Sequence, residues 1–324
     1  MTLVLDESGA TAIFFALTLS FLCGFVALAF DIGHIFMVRA ELQRTADAAA
    51  LAGVAGLVPY THTGTYETPN WSIGQTKAHN MISNEANKVD IPKITVTEVT
   101  VDYGYWLLKP PAGYIQPPLA GLPKARPTTA AYLPEPAIIV TLSRNVNLSF
   151  APIVGVSSPK TVSATATAIL PEAYNITGAF AMAVERTLVY DSSNQIITIT
   201  QNFGWHDQGQ WFTIPASAHS NDVPTIRKYD PIQALTTVWI ATGSMNTLYP
   251  TIGTNQTYMV PVVESTAQGA VQTIIGFAAF HVTGVQQNSI TGSFVDGYTS
   301  PDANPGTGAG TYLGVSGTPK LVSP

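Results

Sequence analysis

Charged side chains are scarce in this sequence. Lys, Arg, Asp and Glu make up 10% of its 324 residues, against roughly a quarter in ordinary soluble domains. The balance is acidic, with a formal net charge of -6, and the lack of a basic surplus excludes a nucleic-acid-binding role. Cysteine is nearly absent. The lone Cys23 rules out a disulfide within the chain and any cysteine metal cluster. Its place in an apolar run makes it a small hydrophobe rather than an intermolecular bridge. The six histidines, at 34, 62, 79, 206, 219 and 281, include no pair at the i, i+4 spacing that sets two imidazoles on one helix face. Solvated or hydrogen-bonded histidines are expected, with no metal and no cofactor. No Gly-Lys-Ser/Thr phosphate cradle, nucleophile elbow or haem-attachment motif occurs. Ser157-Ser158-Pro159-Lys160 fits Ser-x-x-Lys by letter, but its proline and loop context oppose a helix-borne nucleophile. His206-Asp207, near Trp205 and Trp211, has the composition of a sugar pocket, yet core and turn residues explain it better. The chain reads as a non-enzyme.

What the sequence has in quantity is apolar surface and turns: 46% hydrophobic residues, 26 glycines and 23 prolines. The apolar content begins with Ala10 to Phe30, 21 residues without a charge, about the length that crosses a bilayer core. Asp31 interrupts, Ile32 to Val38 resumes the run, and no proline appears until Pro59. Between them, Ala, Leu, Gln, Arg and Glu favour continuation of the helix. Residues 9 to 58 as one helix would be ~75 Å long, so about half of it must stand outside the apolar layer. Asp31 is costly inside that layer unless paired. It is expected merely to mark where the helix leaves the membrane; the alternative is a pairing, with His34 one turn away or with Arg39 of a neighbouring chain. Ala49 and Gly53, and Ala52 and Gly56, are small pairs four residues apart that let another backbone approach closely. That backbone is either a neighbouring helix or the chain's own domain. No Lys or Arg precedes Arg39, whereas a helix entering the membrane N-terminus-inside normally follows basic residues. One reading is a processed chain whose basic leader has been removed, as in type IV pilins. In those the acid is the fifth residue; here the fifth is Leu5, and the acids are Asp6 and Glu7.

Glu7-Ser8-Gly9, Asp31-Ile32-Gly33, Leu42-Gln43 and Ala46-Asp47-Ala48-Ala49-Ala50-Leu51-Ala52 together resemble the N-terminal signature of the Flp pilus-assembly TadE/TadG-like family. The long helix is similar to that of type IV pilins. The resemblance implies a single-span protein at the bacterial cell surface, its bulk outside the cytoplasm, tied to a type IV-like pilus system. The expected function is a pilin-like structural subunit, held in the inner membrane until it assembles with itself or with other pilus subunits. An accessory or minor pilin that does not polymerise is the alternative, and a tethered ligand-binding module is a third. Ala49, Ala52, Gly53, Gly56, Asp31, Arg39 and Glu7 are the candidate assembly residues. Some family members carry a von Willebrand A-type domain, whose metal motif is Asp-x-Ser-x-Ser. Here Asp191 and Ser193 are followed by Gln195, so that domain is not expected.

The remainder predicts an α+β, mostly β chain in three parts: the helix (1–58), a small α+β module (59–170) and a β-sandwich-like outer domain (171–324). Asn70 can cap a short helix, and Ile94 to Tyr103, Ala137 to Ser143 and Thr161 to Leu170 alternate as strands. A Pro-rich excursion lies between the first two of these. Beyond Ile176, helical periodicity gives way to strands: Ala179 to Tyr190, Gln195 to Gln201, Gln210 to Pro215, Ala234 to Ala241, Thr257 to Val263, Thr273 to Val285 and Ser289 to Tyr298. Asp302 to Pro324 reads as an irregular surface tail. Asn-x-Ser/Thr sequons at Asn70, Asn147, Asn175 and Asn255 are possible glycosylation positions if the source glycosylates.

Overall fold

The computed structural model of the chain describes residues 7–63, 66–83, 98–107, 113–116, 135–191, 195–204, 208–214, 231–243, 245–304 and 311–322. The Pro-rich excursion falls mostly outside them, as do Trp205, His206 and Asp207.

The first element, α1 (Glu7–Val54), is one unbroken helix of 48 residues, ~72 Å long at 1.5 Å per residue. Its last turn tightens, with Gly56 N–H donating to Gly53 O and Leu57 N–H to Val54 O. The helix has two unlike halves. From Asp31 onward a buried stripe runs through Val38, Leu42, Ala46, Ala49, Ala50 and Val54. Their three- and four-residue spacing lines up on one face. Before Asp31 the side chains described, from Thr11 on, meet no core at all.

The stripe packs on a small module. After α1 come the hairpin β1 (Thr61–Thr63) and β2 (Tyr66–Thr68), then α2 (Trp71–Ser83), which Asn70 caps at Ile73 N–H. The strands β3 (Glu98–Leu107), β4 (Gly113–Gln116), β5 (Glu135–Val146) and β6 (Lys160–Ile169) follow. They form an antiparallel sheet in the order β6-β5-β3-β4. Alternation turns Ile138, Val140 and Leu142 of β5, with Ala164, Ala166 and Ala168 of β6, toward the helices. Alanine on both sides lets α1 lie close to the sheet. The second half of the helix is thus a structural layer of this module.

The rest of the chain builds β7 (Asn175–Ile176), β8 (Met182–Glu185), the single turn α3 (Arg186–Val189), β9 (Gln201–Gly204), β10 (Gly209–Thr213), β11 (Ile232–Gln233) and β12 (Thr237–Ile240). It continues with β13 (Gln256–Val263), β14 (Val271–Thr273), β15 (Gly276–Val285), β16 (Ser289–Val295) and β17 (Tyr298–Ser300). The last strands are β18 (Ala303–Asn304), β19 (Thr311–Tyr312), β20 (Val315–Gly317) and β21 (Lys320–Val322). A nine-stranded mixed sheet runs β14-β12-β10-β8-β13-β15-β16-β9, with β19 joined to β15. Both its faces are buried. Met182, Val184, Val260, Phe280 and Trp211 line one core, while Ala183, Phe212, Met259, Phe277 and Ala279 line the other. The three-stranded sheet β11-β7-β18 covers the second face through Ile232, Ile176 and Ala303, a sheet-on-sheet arrangement. The fold is α+β and mostly β.

Three local expectations change. Ala179 to Tyr190 splits into β8 and α3 instead of forming one strand. Gln195 to Gln201 contributes a single Tyr190–Ile196 bridge and the first residue of β9. The tail is not irregular: β21 pairs with β6 and completes the first module's sheet, while Val315 and Ser316 are buried. A Gly-, Pro- and Ser-rich composition hides short strands whose pairing partners lie far away in sequence. The tail also joins the modules, since Tyr312 stacks on Tyr60 with ring centroids 3.9 Å apart. Tyr60 in turn donates to the buried Glu172 carboxylate at 3.4 Å.

Candidate functional site

The candidate functional surface is α1 itself. Its first half carries large apolar side chains on every side, among them Phe14, Phe15, Phe21, Leu22, Phe25 and Phe30, with Phe21 70% exposed. Soluble chains do not leave an apolar patch of that extent uncovered. The two hydroxyls best placed to offend an apolar solvent are already bonded: Thr18 Oγ1 donates to Phe14 O and Ser20 Oγ to Ala16 O, both at 2.8 Å. Inside hydrocarbon such internal satisfaction is required. Gly24 leaves a shallow apolar notch between Leu17, Phe21, Phe25 and Leu28. Among the described residues, this is the one helix long and apolar enough to cross a membrane.

Asp31 stands where the bare half ends. It is 4% exposed. Its partners are backbone groups of the β5–β6 connection: Ser149 N–H at 2.9 Å, Phe150 N–H at 2.8 Å and Ala151 N–H at 2.6 Å. These donors lead into the 3-10 turn Ala151–Val154, so the carboxylate accepts from the backbone at the entry of that turn. Such charge-assisted bonds are the strong kind. His34, though one turn away, and Arg39 are exposed, and Asp31 satisfies its carboxylate within its own chain. No sequence signal pointed to residues 149–151, because the contact spans some 120 positions.

The small-residue face is occupied by the chain's own module. A Cβ on Gly53 would lie 3.0 Å from Ile138 Cγ2, 3.1 Å from Ala78 Cβ and 3.2 Å from Gly74 O. One on Gly56 would meet the flexible Lys77 side chain. Ala49 is buried in the same core and Ala52 is half-buried. Gly53 of α1 and Gly74 of α2 thus make a close helix crossing, and Gly74 is the half of it that the sequence did not reveal. Glu7 is the first residue of α1; its side chain lies outside the described residues.

Of the sequons, Asn147 and Asn255 are exposed, whereas Asn70 and Asn175 are half-buried. Asn70 is engaged as the α2 cap. Ser157 accepts from Lys160 Nζ at 3.0 Å on an exposed turn. Asp191 accepts the Gln195 N–H in a local loop. Trp211 is a core residue packed against Phe180 and Tyr249. Among the described residues no three His, Cys, Asp or Glu side chains gather as metal ligands would.

Residues 9–56 match the family model described as putative Flp pilus-assembly TadE/G-like. Residues 37–168 match one described as putative Tad-like Flp pilus-assembly. The second match covers the packed half of α1 and runs through β6. No curated protein and no solved structure matches the chain.

Proposed function

Because residues 9–56 and 37–168 match two Flp pilus-assembly family models, we propose that this membrane-anchored, pilus-associated protein is a pilin-like structural subunit. Its bare helix half sits in the lipid bilayer before assembly and against the helices of other copies afterwards. Either environment keeps the apolar side chains out of water, and close packing with satisfied backbone is what favours helix association in lipid. The bulk lies outside the cytoplasm.

One observation carries this reading: the helix is bare before Asp31 and fixed to its module after it. A stalk held at one end cannot fold back to cover its own apolar surface. It needs lipid or another chain. The accessory role, anchored but not polymerising, uses the same stalk and differs in copy number.

Thiol cross-linking tests the assembled state. Cys23 is exposed on the bare half, so neighbouring helices in a filament bring Cys23 residues of different copies within reach of a short bifunctional thiol reagent. Cross-linked dimers from isolated filaments support the proposal; uncross-linked monomer alone, from filaments that contain the chain, overturns it. For sidedness, protease added to intact spheroplasts should cut the chain in its Lys109 to Pro136 segment, and complete protection until lysis would place the bulk on the other side.

A further inference from the structure

The turn that Asp31 holds carries apolar side chains of its own. Phe150 is 43% exposed, Ile153 81% and Val156 38%. They project from the Ala151–Val154 turn and the residues beside it, at the end of the β5–β6 hairpin. Neighbouring Ala151 and Leu148, by contrast, are buried. Three exposed apolar residues on so short a loop, rigidly pinned by hydrogen bonds of 2.6 to 2.9 Å, are not scattered surface residues.

Their level along α1 says what covers them. The uncharged run from Ala10 to Phe30 is ~31 Å long and matches a bilayer core of ~30 Å. Asp31 is the next residue, and its carboxylate touches the turn directly. The turn therefore lies at the edge of the hydrocarbon, on the side where the module stands. Apolar surface also continues on the helix at this level, through the exposed Ile32, Phe36 and Met37. Cations flank it: Arg39 on the helix and Lys160 at the start of β6 are both exposed. From Ser149 to Lys160 the loop has one cation and no acid. Apolar tips with a basic rim suit the interface of a bilayer containing anionic headgroups.

We infer that Phe150, Ile153 and Val156 form a second, shallow membrane contact, seated at the level of the headgroups beside the helix. This foot rests on the membrane-anchored reading of α1. One helix alone leaves the module free to tilt and swivel. Two contacts joined through Asp31 fix its orientation on the membrane, which presents the module in one pose to whatever assembles it.

Depth-dependent fluorescence quenching tests this with the full chain in vesicles of phosphatidylethanolamine and phosphatidylglycerol. Three single-thiol proteins take the same environment-sensitive label: the native chain at Cys23, and C23S combined with Ile153→Cys or with His79→Cys. His79 is exposed on α2, near the far end of the packed helix. Lipids bearing a quencher near the headgroup should quench the label at 153 strongly and deep-chain quenchers should do so weakly. The Cys23 label should show the reverse, and the label at 79 should respond to neither. If the label at 153 behaves like that at 79 while Cys23 is quenched, the foot is in water; the inference fails and the anchor stands. If the label at 153 is shielded from aqueous iodide without lipid quenching, a protein covers it and the inference again fails. An unquenched Cys23 label would remove the anchor and the foot together.

Discussion

Asp31 and Ala151 are joined by a 2.6 Å hydrogen bond across 120 residues of chain. With Ser149 and Phe150, Ala151 gives the Asp31 carboxylate three backbone donors. The acid that breaks the apolar run is therefore a latch between the helix and the module standing beside it.

Replacing the latch separates its parts. Asp31→Ala leaves three N–H groups without their acceptor, and unpaired buried donors are destabilising. Amides 149–151 should lose hydrogen-exchange protection, while β5 and β3 keep theirs. Asp31→Asn, which retains one acceptor oxygen, should fall between. Unchanged protection in Asp31→Ala would mean that the turn holds itself.

At Gly53 the contact is steric. Leucine there must displace Ile138, Ala78 or the Gly74 carbonyl, each within 3.2 Å of the first added carbon. Overpacking of this kind costs ~1–3 kcal/mol, so the thermal midpoint of the detergent-solubilised chain should drop. The contact is within the chain, so stability should fall whether or not filaments are present. Loss of filaments with an unchanged midpoint would instead place a neighbouring subunit on this face.

Truncation separates the two halves of the helix. A chain starting at Asp31 keeps Leu42, Ala46, Ala49, Ala50 and Val54, so it should be soluble without detergent and folded. A chain starting at Tyr60 loses that layer. Each fully buried side chain of Leu or Val size contributes ~1.5–3 kcal/mol, so its five-stranded sheet should not form, although strand content from the larger sheet persists. If the Tyr60 chain gave native-like near-ultraviolet circular dichroism from both modules, α1 would be dispensable to the fold.

The length of α1, its apolar run and its small residues were legible, since helical propensity and hydropathy are local. So were most strands, whose alternation is written over consecutive residues. The partner of each feature was not. Asp31 looked like a membrane-exit marker because its donors lie 118 to 120 positions away. Ala49 to Gly56 was legible as a face for close backbone approach, but not whose backbone, because the matching Gly74 and Ile138 belong to other elements. The tail looked irregular because β21 is three residues long and finds its place only against β6.

The joint between the modules includes one stacked aromatic pair, Tyr60 and Tyr312. Tyr60→Ala removes the ring stacked on Tyr312 and the donor to Glu172. Loss of a large buried aromatic costs ~3–5 kcal/mol. The expected result is earlier unfolding of the first module and faster proteolysis between it and the larger sheet. Tyr60→Phe, which keeps the ring, should cost much less. Equal losses in both variants would make the hydroxyl, and not the stacking, the main contribution.

The central claim is that the bare half of α1 exchanges lipid for the helices of other copies, as a structural subunit must. Quantitative mass spectrometry of sheared, purified pili from the native source tests it most directly. The account expects this chain among the major components, at a copy number that grows in proportion to filament length. A fixed trace amount independent of length, or its presence only in the membrane fraction, would contradict it and leave the accessory role.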